Sequence, residues 1–168
     1  FALTIYMYDT FIEYNGLTAQ IETDLANINA DNIKELEEKS KNLRDLIVNG
    51  EFSEHHKEII AEYYNKLSQI YTVDNLEVAV RSSALAEDLP NASFAGQHDT
   101  FLNVSGTDHL LESIKECFAS LFNGRAVSYR KTHNIALSDV KISVAIQKMI
   151  RSDIGSAGVA FSLDPETG

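Results

Sequence analysis

Residues 78–104, VAVRSSALAEDLPNASFAGQHDTFLNV, begin and end as strands and carry a polar, small-residue stretch between them. Leu76 to Val80 alternates large apolar residues with Glu77 and Ala79, the period of a strand with one face buried. Thr100 to Val104 (TFLNV) predicts a second strand. Between them, the first strand delivers Arg81 into a loop holding Ser82, Ser83, Glu87 and Asp88, and a second loop runs from Ala92 to Gln97. An arginine at a strand end offers a planar fork of donors that matches phosphate oxygens. Nearby Ser, Ala and Gly let backbone N–H groups approach an anion closely, which bulky side chains would prevent. A phosphate cradle is one reading of this stretch. A surface loop in which Arg81 pairs with Glu87 or Asp88 is the other, and the residues alone leave both open. It is not a Walker A loop, because G-x-x-x-x-G-K-[ST] occurs nowhere in the chain.

Upstream, residues 5 to 70 read as helical. Ile5, Tyr8 and Ile12 recur at helical spacing before a stop at Asn15-Gly16, and the pattern is weaker from Thr18 to Asn29. Asp31 precedes an amphipathic run through Ile33, Leu36, Leu43, Leu46 and Ile47, closed by Asn49-Gly50. Ser53 opens another, with an apolar stripe expected over Ile59, Ile60, Tyr63, Tyr64, Leu67 and Ile70. Charges between these positions, such as Glu35 and Lys39, read as solvated faces with local pairs.

Downstream, Asp108 starts a helix to Asn123-Gly124, and Arg125 to His133 continues it after a kink. Ile142 to Ile150 predicts a strand, Asp153-Ile154-Gly155 a turn, and Gly158 to Leu163 a final strand. The expected fold class is α+β, with a mostly helical part over 1–75 and an α/β part over 76–168, both within one truncated domain. The chain starts at Phe1 without an initiator methionine and stops in a turn at Gly168, so both ends read as cuts. A sheet edge opened by such cuts would favour paired or swapped molecules, so a homo-oligomer is an expectation.

With 44% apolar residues the chain has the means to build a core, and a formal charge of −11 argues against nonspecific binding to nucleic acid or anionic lipid. An acidic shell does not exclude an anionic small ligand in a locally basic pocket. The one cysteine, Cys117, excludes an internal disulfide, suits a reducing cytoplasm, and reads as a plain buried thiol. No apolar run approaches the ~20 residues of a membrane span. The five histidines have no metal-ligand spacing, and Asp164 and Glu166 in the terminal turn read as ordinary loop residues. Arg125, Ser128, Tyr129 and Arg130 read as packing or ion-pairing residues, and Gly155 and Gly158 as turn and packing glycines.

The 78–104 stretch resembles the signature of phosphoenolpyruvate synthases and their relatives, the pyruvate phosphate dikinases and rifampin phosphotransferases, which share an ATP-grasp nucleotide-binding domain. Three further segments fit in order: FALTIYMYDTFIEYNGL (1–17), NGRAVSYRKTHNI (123–135) and VAIQKMIRSDIGSAGVAFSLDPETG (144–168). The resemblance implies a partial ATP-grasp-type domain with a helical section beside a small mixed β-sheet. It implies that Arg81 contacts nucleotide phosphates. The loop Ser93 to Thr100 would cover those phosphates, with Gly96, Gln97 and Thr100 contributing. Gln147 to Met149 would form the strand edge against which adenine lies, with Gln147 and Met149 as the named side chains.

The same resemblance implies ATP and Mg2+ as cofactors, with the metal ligands, a phosphate-binding lysine and a further arginine outside these residues. No metal ligand is assigned within them. The implied reaction of the parent converts ATP, pyruvate and water into phosphoenolpyruvate, AMP and phosphate through a phosphohistidine on a separate carrier domain. With about half of an ATP site, this segment alone would turn over little or nothing. Two other readings stand beside it: the same domain from a rifampin phosphotransferase, and a noncatalytic interaction module on a degenerate nucleotide domain.

Overall fold

Amphipathic helices from the first part of the chain and strands from the second meet on one core. The computed structural model describes residues 1–29, 32–84, 99–133, 135, 141–152, 154–156, 158, 160 and 163. Its elements are β1 (Ala2–Leu3), α1 (Ile5–Tyr14), α2 (Thr18–Ala26), α3 (Ile33–Val48), α4 (Glu54–Ile70), β2 (Val78–Ala84), β3 (Thr100–Val104), α5 (Thr107–Ser120), α6 (Gly124–Thr132) and β4 (Ile142–Lys148). The α+β class is therefore as the sequence implies.

Local chemistry explains the helix ends. Asn32 caps α3 by accepting from the Glu35 N–H at 3.3 Å, and Ser53 caps α4 by accepting from the His56 N–H at 3.3 Å. Asp31, expected ahead of α3, lies outside the described residues. Gly16 follows α1 at φ +65°, a left-handed stop that costs glycine nothing. α3 buries Leu36, Ser40, Leu43 and Ile47, one stripe at helical spacing. In α4 the stripe is narrower than expected: Ile60, Tyr64 and Ser68 are buried, while Tyr63 and Ile70 face outward. The kink expected at Asn123-Gly124 is a full break: α5 and α6 are separated by Leu121, Phe122 and Asn123.

The four described strands form one sheet in the order β1-β4-β2-β3, with every pairing antiparallel among the described residues. β2 runs further than the alternation of 76–80 predicts, because 81–84 pair residue by residue with β4 from Arg81↔Ala145 to Ala84↔Ile142. The inner face of the sheet carries Val78, Val80, Val104, Ile142, Val144 and Ile146, each 0–1% exposed. Helices α1 and α5 pack on this sheet. The β2–β3 register shifts between Val78↔Val104 and Val80↔Phe101, and Asn103 there takes φ 56°. This bulge lets both Phe101 and Val104 point to the core although they are three residues apart.

Tyr64 ties the layers together. Its buried hydroxyl donates to the Leu76 carbonyl at 2.8 Å and accepts from the Gly106 N–H at 2.9 Å, joining α4 to the entries of β2 and α5. No helix among the described residues is long and apolar enough to cross a membrane. Of the final strand expected over 158–163, the described residues Gly158, Ala160 and Leu163 are not in a strand, and the other three lie outside the described residues, as do Asp153, Asp164 and Glu166.

Candidate functional site

Because side chains alternate across a strand, burying Val78 and Val80 forces Ala79, Arg81 and Ser83 to the opposite face of the sheet. Arg81 therefore sits within β2, paired to Ala145 of β4 on one side and to Thr100 of β3 on the other. This corrects its expected position in a loop. Backbone pairing on both sides accommodates the polar Arg-Ser-Ser run, and its alternation leaves Arg81 and Ser83 outward. Gln147 is opposite Ala79, so it occupies the same face two residues further along β4 than Ala145. Arg81, Thr100 and Gln147 are all exposed on this outer face.

The floor between them is made of small residues. Ala79, Ser83, Ser143 and Ala145 share the face, and Leu102 adds an exposed apolar side chain beyond Thr100. The floor is open in part: Ala79 is buried and Ser143 and Ala145 are half-buried, while the Arg81 guanidinium and the Thr100 hydroxyl lie at an exposed end. No carboxylate pairs with Arg81 among the described residues. Such a cation suits phosphate oxygens. The described residues contain no group of three or more His, Cys, Asp or Glu able to hold a metal ion.

Strand geometry also divides the groups of β4. Met149 donates its N–H to the Glu77 carbonyl at 2.9 Å, so its peptide groups face β2. Ile146 exchanges hydrogen bonds with Phe1, donating at 2.8 Å and accepting from the terminal amine at 3.1 Å, on the β1 side. Alternation puts Lys148 on that same side, so of residues 147–149 it is Lys148 whose backbone turns away from β2. Its amine lies 4.1 Å from the centre of the Tyr71 ring, a contact between the ends of β4 and α4. Met149 itself is partly buried.

Gly96 and Gln97 lie outside the described residues, as do Glu87 and Asp88. At the point where the chain re-enters the described fold, Asp99 is held by three elements. Its carbonyl accepts from Ser82 Oγ at 3.2 Å and lies 4.0 Å from Cys117 Sγ. Its carboxylate accepts from Asn123 Nδ2 at 3.4 Å, and Asn123 Oδ1 accepts from Arg44 Nη1 at 3.3 Å. Spacing gave no signal for this network, because its members come from α3, the α5–α6 junction and the start of β3. Cys117 is fully buried as expected, and burial pushes its thiol up to about 12, with Asp99 and Glu116 adding to the effect. It is inert as a nucleophile.

Of Arg125, Ser128, Tyr129 and Arg130, read as packing or ion-pairing residues, Arg125 is exposed and Arg130 is the buried one. It is 5% exposed, lies with its guanidinium carbon 5.7 Å from the Phe122 ring centre, and is lowered by burial to about 10 despite the opposing influence of Tyr8. Arg130 is thus on the core side of the fold, away from the outer face that carries Arg81.

Known proteins resemble the chain along its whole length. The family described as pyruvate phosphate dikinase, AMP/ATP-binding domain, matches residues 1–168. A phosphoenolpyruvate synthase of Aquifex aeolicus is 48% identical over 168 residues, which is 100% of this chain and 20% of that protein. One from Helicobacter pylori is 47% identical over all of this chain and 21% of its own length. A probable phosphoenolpyruvate synthase of Methanothermobacter thermautotrophicus is 43% identical over all of this chain and 24% of its own length. The chain thus spans about a fifth to a quarter of the length of these curated relatives.

Proposed function

The chain belongs to the pyruvate phosphate dikinase AMP/ATP-binding family, and from that premise we propose that the outer face of its sheet forms part of the ATP site of a phosphoenolpyruvate synthase. The parent enzyme converts ATP, pyruvate and water into phosphoenolpyruvate, AMP and phosphate, passing a phosphoryl group through a histidine on another domain. The name shared by the relatives favours pyruvate as acceptor over an antibiotic hydroxyl.

The observation that carries this reading is the opposition of two exposed residues, Arg81 and Thr100, beside small residues on the outer face of the sheet. Arg81 supplies fixed positive charge and bidentate donors to phosphate oxygens, and Thr100 supplies a hydroxyl beside it. Gly96 and Gln97 complete the loop over the phosphates in this proposal. Gln147 steadies the base from the same face, and the partly buried Met149 contributes an apolar wall. Among residues 147–149, Lys148 offers its backbone to a base edge approaching from the side away from β2. Mg2+ bound with ATP would neutralise phosphate charge, with its ligands contributed from outside the described residues.

Phosphoryl transfer depends on positioning and charge stabilisation, so removing one phosphate-facing guanidinium is costly. Arg81→Ala in the full-length enzyme is expected to lower kcat/KM for ATP at least about 100-fold while leaving the circular dichroism spectrum unchanged. Phosphorus NMR with magnesium-ATP and pyruvate reads the formation of phosphoenolpyruvate, AMP and phosphate directly. Near-normal turnover in Arg81→Ala would sink the assignment, and folded parent enzyme making no phosphoenolpyruvate would transfer the site to another acceptor.

A further inference from the structure

The chain that leaves β2 returns to the described fold at Asp99, one residue before the strand pair formed by Arg81 and Thr100. That return point is tied from below and from the side. Ser82 of β2 holds the Asp99 carbonyl at 3.2 Å, while Asn123 Nδ2 reaches its carboxylate at 3.4 Å. Asn123 is itself oriented by Arg44 Nη1, which donates to its Oδ1 at 3.3 Å, so the amide presents nitrogen to Asp99 and oxygen to Arg44. The direction of both bonds follows from charge: a guanidinium only donates and a carboxylate only accepts. An amide between them completes a relay from α3, in the helical layer, to the residue just before β3.

We infer that Asp99 and Asn123 are positioning residues, which hold Thr100 in register beside Arg81 and thereby set the spacing of the phosphate-facing groups. The inference rests on the nucleotide reading of the outer face given above. Three features support a positioning role over a merely cohesive one. The contacts are polar, are exposed or partly buried, and are separate from the apolar core. They converge on the residue adjoining the Arg81–Thr100 pair. Their order fixes the orientation of the Asn123 amide, and a small misplacement of donors at a phosphate site is amplified in the rate.

The test uses the full-length enzyme and separates ATP effects from pyruvate effects. Asn123→Ala and Asp99→Ala are each expected to raise KM for ATP roughly five- to tenfold, with kcat and KM for pyruvate within about twofold of the parent. The conservative Asp99→Asn keeps an acceptor oxygen for Asn123 Nδ2 and is expected to restore most of the ATP affinity. The Asp99→Ala/Asn123→Ala double variant is expected to be no worse than either single, as for two members of one relay. Unchanged ATP KM in both single variants overturns the inference. So do additive losses, or a general fall in kcat and both affinities together with a lowered melting temperature. Arg81→Ala run alongside distinguishes the two layers of the proposal. If it loses ATP affinity while the relay variants do not, the positioning role alone falls. If it binds ATP normally, the nucleotide reading fails and the positioning role fails with it.

Discussion

His56 shows how a single half-buried ring couples the fold to pH. The Thr10 hydroxyl contacts the carbonyls of Tyr6 at 2.9 Å and Met7 at 3.2 Å, and donates within its own helix, so its oxygen accepts from His56 Nε2 at 3.2 Å. That tautomer leaves Nδ1 as a buried lone pair, which has no hydrogen bond among the described residues. Phe52 stands edge-on to the ring at 6.3 Å. Burial first, and then the neighbouring His55, hold the His56 pKa below the usual histidine range. An unfolded histidine titrates near about 6.5. As pH falls through that value the unfolded chain takes up a proton that the folded ring resists, so folding stability declines on the acid side and is unaffected above it. His56→Gln should flatten the decline between about pH 7 and pH 5, read as urea-denaturation midpoints. Parallel pH dependences for the two proteins would show that His56 is not its source.

Helix ends illustrate a second kind of dependence, between elements. The last turns of α2 and α3 contain no basic residue to meet their exposed carbonyls. Lysines from other helices meet them instead. At the end of α2, Lys39 donates to the Asn27 carbonyl at 2.5 Å, and Lys131 donates to that of Ala26 at 3.4 Å. At the end of α3, Lys115 from α5 reaches the carbonyls of Val48 at 2.7 Å and Gly50 at 3.2 Å. These ammonium groups satisfy orphan acceptors and sit at the negative ends of the helix dipoles. The Gly50 position is also closely packed, since a Cβ there would lie 2.8 Å from the Phe11 ring. Lys115→Met keeps the aliphatic stem but loses both bonds, and is expected to cost about 1–2 kcal/mol in chemical denaturation. A loss below experimental error would mean that water replaces the ammonium without penalty. By contrast, exposed pairs within one helix, such as Lys41–Asp45 at 2.6 Å, should contribute little.

Across the whole molecule, one aromatic cluster joins the helical layer to the sheet. Phe118 of α5 meets Tyr8 at 5.3 Å, Phe11 at 5.5 Å and Phe52 at 6.2 Å, bringing α1 and the α3–α4 connection onto the helix that covers the sheet. It is fully buried, as is Phe11. Phe118→Ala removes contacts to all three neighbours and leaves a cavity, so a loss of about 3–5 kcal/mol is expected. Denaturation followed by far-ultraviolet circular dichroism measures it, and a loss under 1 kcal/mol would imply that the core collapses around the gap.

Alternation and helical spacing carried much of this architecture: Val78 with Val80, Val144 with Ile146, and Leu36 with Leu43 and Ile47 declare their buried faces directly. Asn49-Gly50 and Ser53 likewise marked helix boundaries through local chemistry, and the ordered segments from 1–17 to 144–168 pointed to the family. Local pattern was insufficient where partners are distant in the chain. Arg81 to Ala84 read as a loop because the run is polar, yet pairing with β4 makes it strand and turns Arg81 outward beside Thr100. Tyr63 and Ile70 fit an apolar stripe, but both stay exposed, Tyr63 with the Phe1 ring at its side. The Asp99–Asn123–Arg44 relay and the lysine caps had no linear signature at all. A residue's own periodicity encodes which side it presents, whereas the group it meets there depends on how separate elements pack together.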